Sequence, residues 1–357
     1  MKKCLLILFA VLALAACGPK APSAQELLEK ELDARLLEMS LTEKVGQLFY
    51  VRPEALLDSI PVGGVVIFAK DILDPEQLHA LVDTLHALPY EPLVCIDEEG
   101  GRVARIGNNP AFDVPRFASM AAVAASGKPA DAYDCGNAIG TYLKEYGIDV
   151  DFAPVADVNT NPSNPVIGTR AFSGDPAVAA PMVVAYLQGL KDAGVLGCIK
   201  HFPGHGDTRT DTHYGYAQSL KTWEEMLACE MIPFKAGIDW GTPMVMTAHI
   251  AAPKVTGSDI PSTLSSVMLT EKLRGELGYE GVIITDGMGM GAITRQYSSG
   301  EAALKAIQAG ADVILLPESL QEAFDAVQAA VADSTLTQAR LDASVRRILR
   351  MRCRLSR

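Results

Sequence analysis

The densest group of chemically active side chains lies in residues 200–213, which have the sequence KHFPGHGDTRTDTH and hold three of the chain's six histidines. Asp211 and His213 are close enough in the chain for the carboxylate to accept a hydrogen bond from one imidazole nitrogen while the other nitrogen faces a substrate. Because imidazole titrates near neutral pH, this pair predicts a general acid and base. Taken alone, the pair also fits a solvated loop without function.

Asp286 is the best candidate for a nucleophile. It ends the apolar run 281–285, GVIIT, and precedes the sequence GMGMG at 287–291, whose glycines leave the carboxylate accessible. Two nearby cations, for example Lys200 and Arg105, would keep such a carboxylate ionised. The position alone equally fits an aspartate that caps a helix or closes a turn.

These side chains need a scaffold that brings distant parts of the chain together. Eight short apolar runs predict strands, at 46–51, 64–69, 93–97, 149–154, 195–200, 243–249, 281–286 and 311–316. Helical patterns lie between most of them, with Asp-Pro helix starts at 74–75 and 175–176 and a capping box formed by Ser40 and Glu43. This alternation predicts the α/β class and a single (β/α)8 TIM barrel, with an open doubly wound sheet as the lesser alternative.

In a TIM barrel the carboxyl ends of the strands meet at one mouth. The polar residues expected there are Asp97, Glu98, Glu99, Arg102, Arg105, Asp157, Arg170, Lys200, His201, His249 and Asp286. Carboxylates and guanidinium groups around one mouth suit a ligand rich in hydroxyls, which is a sugar. His79 and His86 lie on a predicted helix away from these motifs, and we expect them to be structural.

The composition limits the classes of partner. The chain has 31 lysines and arginines against 43 acidic residues, a net charge of −12 with neutral histidines. This charge disfavours binding of nucleic acid or of an anionic membrane surface through a basic face. The seven cysteines show no repeated spacing and predict no disulfide framework. Cys95 and Cys198 lie in apolar runs and are expected in the core.

The N-terminus has the layout of a secretory signal, with Lys2 and Lys3, an apolar run at 5–14 and small residues before Cys17. The sequence LAAC at 14–17 resembles a bacterial lipobox, which implies cleavage before Cys17 and lipidation of its thiol. We therefore expect a signal peptide at 1–16, a lipidated tether at 17–24 and a catalytic domain at 25–357. The protein would be exported and anchored to a bacterial membrane through the lipid only. A plain secretion signal or an uncleaved anchor is the alternative.

Seven blocks of the sequence together resemble glycoside hydrolase family 3, in particular its β-N-acetylglucosaminidase, or β-hexosaminidase, branch. The blocks are MSLTEKVGQL (39–48), IDEEGGRV (96–103), DFAPV (151–155), VIGTRAF (166–172), the 200–213 segment, MTAH (246–249) and GVIITD (281–286). The sequence SVRRIL at 344–349 is similar to the helix that ends the family's barrel.

The resemblance implies roles for individual residues. Asp286 matches the nucleophile, and His213 with Asp211 matches the acid/base dyad that this branch uses in place of a carboxylic acid. The positions that match those holding the hydroxyls of the non-reducing sugar are Asp97, Arg105, Arg170, Lys200 and His201. His205 and Asp207 are assigned to shaping the loop, and the role of His249 stays open. No metal or cofactor is implied.

The implied activity is retaining removal of terminal β-linked N-acetylglucosamine through a covalent glycosyl-aspartate. Fragments of peptidoglycan are the expected substrate, followed by chitin oligosaccharides, and phosphate stays open as an acceptor in place of water. Two residues depart from the branch pattern: Glu98 stands where glutamine is usual, and Gly287 follows the nucleophile. No second domain is expected after the barrel.

Three alternatives remain at this point. A family 3 β-glucosidase or xylosidase would usually have an aromatic residue after the nucleophile. A metal-dependent hydrolase could use His201, His205, Asp207 and His213, although Pro203 and Gly204 interrupt the helix that such a histidine pair normally needs. The third alternative is a surface lipoprotein that binds glycans without cleaving them.

Overall fold

The computed structural model describes residues 22–57, 59–210 and 217–355. Its main sheet has eight parallel strands, which we number β1 Phe49–Val51, β2 Gly64–Val66, β3 Leu93–Ile96, β4 Val150–Asp151, β5 Leu196–Phe202, β6 Met244–Thr247, β7 Val282–Ile284 and β8 Ile314–Leu315. Their order in the sheet is β7-β6-β5-β4-β3-β2-β1-β8. A parallel bridge between Ile284 and Val313 joins β7 to the residue before β8. The sheet therefore closes into the predicted TIM barrel, and the open-sheet alternative is wrong.

All eight predicted strands are present, but their ends differ from the apolar runs. Gly46 ends a helix instead of starting β1, because the capping box of Ser40 and Glu43 forms and the helix Leu41–Gly46 follows it. The ladder of β4 stops after two residues, shortly before Pro154, which has no N–H to donate. By contrast, β5 continues through His201 to Phe202, so the start of the histidine-rich segment is strand and not loop.

Helices cover the outside of the barrel. The α-helices are Ala24–Glu38, Leu41–Gly46, Pro75–His86, Met120–Val123, Pro129–Glu145, Pro176–Asp192, Trp223–Leu227, Met231–Trp240, Pro253–Thr256, Gly291–Thr294, Ser299–Ala309, Leu320–Ala332 and Gln338–Arg352, and a π-helix spans Val267–Glu276. Asp74 and Asp175 cap their helices as predicted. Within the described ranges, no helix combines the length and hydropathy that crossing a bilayer requires.

The strands are buried on both faces, as expected when helices cover a parallel sheet. Cys95 and Cys198 are completely buried in this core, as predicted. The cysteines of the described chain are unpaired.

Two short hairpins leave the strands at the mouth. The first pairs Glu98–Gly100 with Val103–Ala104 directly after β3, and its turn uses positive φ angles at Gly100 and Gly101 that favour glycine. The second pairs Arg209–Thr210 with Ala217–Gln218 after β5. The first hairpin leads to Arg105, which the sequence associates with sugar binding, and the strands of the second flank Asp211 and His213 in the sequence.

Candidate active site

A buried ion network joins the ends of β3 and β5. Lys200 Nζ lies 2.8 Å from Asp97 Oδ1 and 2.6 Å from Glu99 Oε1. Arg170, on the turn Gly168–Arg170, binds Glu99 with two nitrogens, Nε at 2.8 Å and Nη2 at 2.7 Å. Arg105 Nη2 donates to Asp97 Oδ2 at 3.2 Å. Four of the five predicted sugar-binding residues therefore meet in one network, and Glu99 links two of them.

The charges in this network stabilise one another. Burial alone would lower the pKa of Lys200, but the carboxylates of Asp97 and Glu99 raise it. Burial works against ionisation of Glu99, yet the charge of Lys200 and the contacts with Arg170 lower its pKa to about 2. Lys200 likewise lowers the pKa of Asp97 against the effect of burial. All these groups are thus charged at neutral pH, and they present fixed donors and acceptors to a polar ligand.

His201, the fifth predicted residue, is oriented from both sides. Its Nδ1 lies 2.7 Å from Asp157 Oδ2, and its Nε2 lies 3.3 Å from Arg170 Nη2. Since arginine can only donate, Nε2 accepts from Arg170, and Nδ1 donates its N–H to the carboxylate of Asp157. Asp157 also accepts the backbone N–H of His205 at 2.6 Å. Burial would raise the pKa of Asp157, but these partners lower it.

Glu98 faces away from this network and supports the loop that carries Arg105. Its fully buried carboxylate accepts the backbone N–H groups of Arg105, Ile106 and Gly107 and the hydroxyl of Tyr142. Burial raises the pKa of Glu98 despite these hydrogen bonds. Glu98, which stands where glutamine is usual in the branch, therefore supports the hairpin. Its carboxylate does not face the ion network.

Asp286 follows β7 and is half-buried. Its N–H donates to the carbonyl of Thr247, and its Oδ1 accepts the N–H of Gly287 at 2.7 Å. Among the described residues, no lysine or arginine forms an ion pair with it, because Lys200 and Arg105 contact Asp97 instead. That these two nearby cations keep Asp286 ionised without a direct contact stays a prediction.

His249 holds the loop that follows Asp286. Its Nε2 lies 3.0 Å from the carbonyl oxygen of Gly287, and its Nδ1 lies 2.9 Å from Thr263 Oγ1. Burial lowers the pKa of His249, so the ring is neutral and donates from Nε2 to the carbonyl. The sequence leaves the role of His249 open, and these contacts put the ring where it can position the loop next to Asp286.

Asp211 and His213 lie outside the described residues. On either side of them, Thr210 pairs with Ala217, and Ala217 in turn accepts the N–H of Ala251 at 3.0 Å. The described residues that flank this pair in the chain therefore lie beside Ala251, which follows β6 and is close in sequence to His249. This is the mouth of the barrel.

The loop before the hairpin has little freedom. At Gly206 a Cβ would lie 1.9 Å from the carbonyl oxygen of Val158, so only glycine fits. Asn164 Nδ2 donates to the carbonyl of His205 at 2.7 Å, and Asp207 lies 3.9 Å from Lys221 Nζ. These contacts agree with the loop-shaping role assigned to His205 and Asp207. Both ring nitrogens of His201 already have partners, which argues against a metal site that uses this histidine.

Comparison with known proteins decides the family. The model of the glycosyl hydrolase family 3 N-terminal domain matches residues 40–351. The chain belongs to glycoside hydrolase family 3. The resemblance found in the sequence is thereby confirmed.

Its relatives carry hexosaminidase names. The β-hexosaminidase A of Pseudoalteromonas piscicida is 34% identical over 84% of this chain and 54% of its own length. The β-hexosaminidase of Xanthomonas campestris pv. campestris (strain B100) is 36% identical over 74% of this chain and 81% of its own length. A solved family 3 β-N-acetylglucosaminidase from Paenibacillus sp. str. FPU-7 has a TM-score of 0.82 and 38% identity, covering 88% of this chain and 62% of that chain. This family 3 chain thus spans less than two thirds of two of these relatives.

Replacing Glu99 by glutamine in this family 3 barrel should disturb both stability and sugar binding. The substitution keeps the shape but removes the charge that pairs with Lys200 and Arg170, and breaking a buried ion pair in this way costs about 3–5 kcal/mol. We expect that loss in chemical unfolding, together with a fall of about 10²-fold in kcat/KM, most of it in KM. Glu145→Gln, at an exposed position, is the control. An unchanged KM would show that Glu99 does not position the sugar-binding groups.

Proposed function

We propose that this chain is a retaining exo-β-N-acetylglucosaminidase that cleaves terminal, non-reducing β-linked N-acetylglucosamine. The observation that carries the proposal is the charged network of Asp97, Glu99, Arg170 and Lys200 at the same barrel mouth as the accessible carboxylate of Asp286. The names of the relatives at 34–36% identity support the choice of sugar. No cofactor enters the proposed reaction.

The proposed reaction has two steps. In the first, a carboxylate oxygen of Asp286 forms a bond to the anomeric carbon while the bond to the leaving oxygen breaks, and His213 gives that oxygen its proton. In the second, water attacks the anomeric carbon, His213 takes a proton from the water, and Asp286 leaves. Two displacements at one carbon retain the anomeric configuration. Asp211 orients the imidazole and stabilises its protonated form.

The surrounding charges fit the demands of this reaction. Positive charge develops on the sugar ring in the transition state, and the negative charges of Asp97 and Asp286 stabilise it. Lys200, Arg105 and Asp97 supply donors and acceptors for ring hydroxyls. Their mutual contacts hold them in place before the sugar arrives, so less reorganisation is needed during the reaction.

The proposed place of action follows from the N-terminal sequence. Lipidation at Cys17 after removal of residues 1–16 would put the enzyme on a bacterial membrane, outside the cytoplasm. Cell-wall fragments that end in β-linked N-acetylglucosamine are the substrate available there, with chitin oligosaccharides as a second class. A family 3 β-glucosidase or xylosidase and a non-catalytic glycan-binding lipoprotein are the alternatives to be tested.

Hydrolysis of three nitrophenyl substrates separates these possibilities. We expect turnover of the β-N-acetylglucosaminide and little of the β-glucoside or β-xyloside. Activity on the plain glucoside would move the chain to another branch of the family. Absence of turnover on all three would favour the binding protein.

A further inference from the structure

A cavity of about 340 Å³ lies at the end of the barrel opposite the active site. It opens between the chain segments that lead into β6 and β7 and the end of the last helix, Gln338–Arg352. Its walls include Pro243 and Gly281, one residue before β6 and β7 respectively. Its charged lining consists of three arginines, Arg347, Arg350 and Arg354, and one carboxylate, Glu280. We call this the floor cavity.

Among the described residues, each of these arginines has hydrogen-bond partners on one of its two terminal nitrogens only. Arg347 uses Nη1 to reach Asp312 Oδ1 at 3.1 Å, and Arg350 uses Nη2 to reach Glu29 at 2.8 Å. Arg354 uses Nη1 to reach the carbonyl of Gly241 at 2.8 Å. One terminal nitrogen of each guanidinium is thus occupied, and the fork geometry leaves the other for a ligand. Three guanidinium groups around one cavity are suited to a phosphate group.

Positive charge is concentrated in the last twenty residues of the sequence. Residues 338–357 contain seven arginines and one aspartate, in a chain whose net charge is −12. Glu29 and Asp312 offset the charges of Arg350 and Arg347, whereas Arg354 contacts a carbonyl oxygen and no carboxylate among the described residues. The Debye length is about 8 Å at physiological ionic strength, so the acidic residues elsewhere are largely screened.

The N-terminal helix Ala24–Glu38 places the chain's start at the same end. Glu29 pairs with both Arg346 and Arg350, and Asp33 pairs with Arg346, so this helix runs antiparallel to the last helix. Its first residue, Ala24, therefore lies toward Arg354. The seven residues 17–23 can span at most about 25 Å when extended. A lipid on Cys17 would keep the floor cavity near the membrane surface.

We propose that the floor cavity binds the phosphate of an anionic phospholipid headgroup, so that the barrel stands on the membrane with its active site facing outward. The inference rests on the proposed membrane location but not on the proposed reaction. Arg350 and Arg354 make the main contacts, with Arg347 held in place by Asp312. Free inorganic phosphate is the other source of the same chemistry, and the experiment separates the two.

The test uses the chain from residue 17 to 357 with Cys17→Ser, so that no acyl chain contributes. Sedimentation with vesicles of phosphatidylglycerol and phosphatidylcholine is compared with vesicles of phosphatidylcholine alone. Arg354→Gln and Arg350→Gln should each weaken binding about fivefold, the value of one arginine near an anionic surface, about 1 kcal/mol. Arg346→Gln is the matched control, because it removes the same charge from the same helix and also loses Glu29, but it does not line the cavity.

Binding to the anionic vesicles that is weakened by the two cavity variants and spared by Arg346→Gln would support the proposal. Equal weakening by all three would show a response to net charge only and would overturn it. Absence of binding above the phosphatidylcholine control would also overturn it, and stabilisation of the chain by inorganic phosphate would then assign the cavity to free phosphate. Hydrolysis of the nitrophenyl substrate in solution checks that each variant is folded and tests the proposed reaction separately.

Discussion

Asp286→Asn is expected to abolish turnover of nitrophenyl β-N-acetylglucosaminide, with a fall in kcat/KM of about 10⁴- to 10⁶-fold, the range seen when a catalytic nucleophile or its partner is removed. The amide cannot form the glycosyl ester, yet it keeps an oxygen that can accept the N–H of Gly287, as Asp286 Oδ1 does at 2.7 Å. The fold should therefore be unchanged. Steady-state kinetics and chemical unfolding measure the two effects.

The control for this variant is Asp113→Asn, which removes a carboxylate at an exposed position. It should leave both activity and unfolding free energy near the wild-type values. A loss of less than about tenfold in Asp286→Asn, which is about 1.4 kcal/mol of transition-state stabilisation, would show that another group is the nucleophile.

The second large effect is expected from His213→Ala, and it should depend on the leaving group. With an alkyl or sugar leaving group, loss of the general acid should lower kcat/KM by about 10²- to 10⁴-fold. With a nitrophenolate leaving group, which departs without a proton, the first step should be nearly unchanged. Burst kinetics on the nitrophenyl substrate and turnover of a disaccharide measure the two cases.

His79→Ala is the control, because this exposed histidine lies on the helix Pro75–His86 against Tyr146 and away from the mouth. Equal losses of His213→Ala on both kinds of substrate would contradict its role as the acid. An equal loss would also favour a part for His213 in binding the sugar.

Much of this fold could be predicted from the sequence, because barrel strands are short apolar runs and helix starts carry local signals. The caps at Asp74 and Asp175 depend on residues within three positions, and both formed as expected. The strand ends were less predictable. Whether Lys200 and His201 continue β5 depends on pairing with β4 and β6, which lie far away in the chain.

The active site could be predicted only in part, because its contacts also join residues that are far apart in the chain. Asp97 and Lys200 could be named as mouth residues, but their contact joins positions 103 residues apart. The contact between Glu99 and Arg170 spans 71 residues. Glu99 is expected at the mouth but receives no role from the sequence. Alternation in an extended segment places its carboxylate on the same side as that of Asp97, two residues earlier. That spacing was the available signal.

Glu98, between them, points to the other side and supports the hairpin, which follows from the same alternation. Asp157 is expected at the mouth, but its hydrogen bonds to the ring of His201 and to the backbone of His205 depend on the path of the loop after β5. No local pattern predicts that path. Local patterns also cannot predict the ion pair between Arg350 and Glu29, which joins two helices from opposite ends of the chain.

The central claim is that Asp286 forms a covalent bond to N-acetylglucosamine. It is tested most directly by trapping that species with a slow fluorinated β-N-acetylglucosaminide and locating the label by mass spectrometry of proteolytic peptides. We predict one sugar adduct per chain, on the peptide that contains Asp286, and none in Asp286→Asn. A label on another carboxylate, or hydrolysis by wild-type protein without any adduct, would contradict the account.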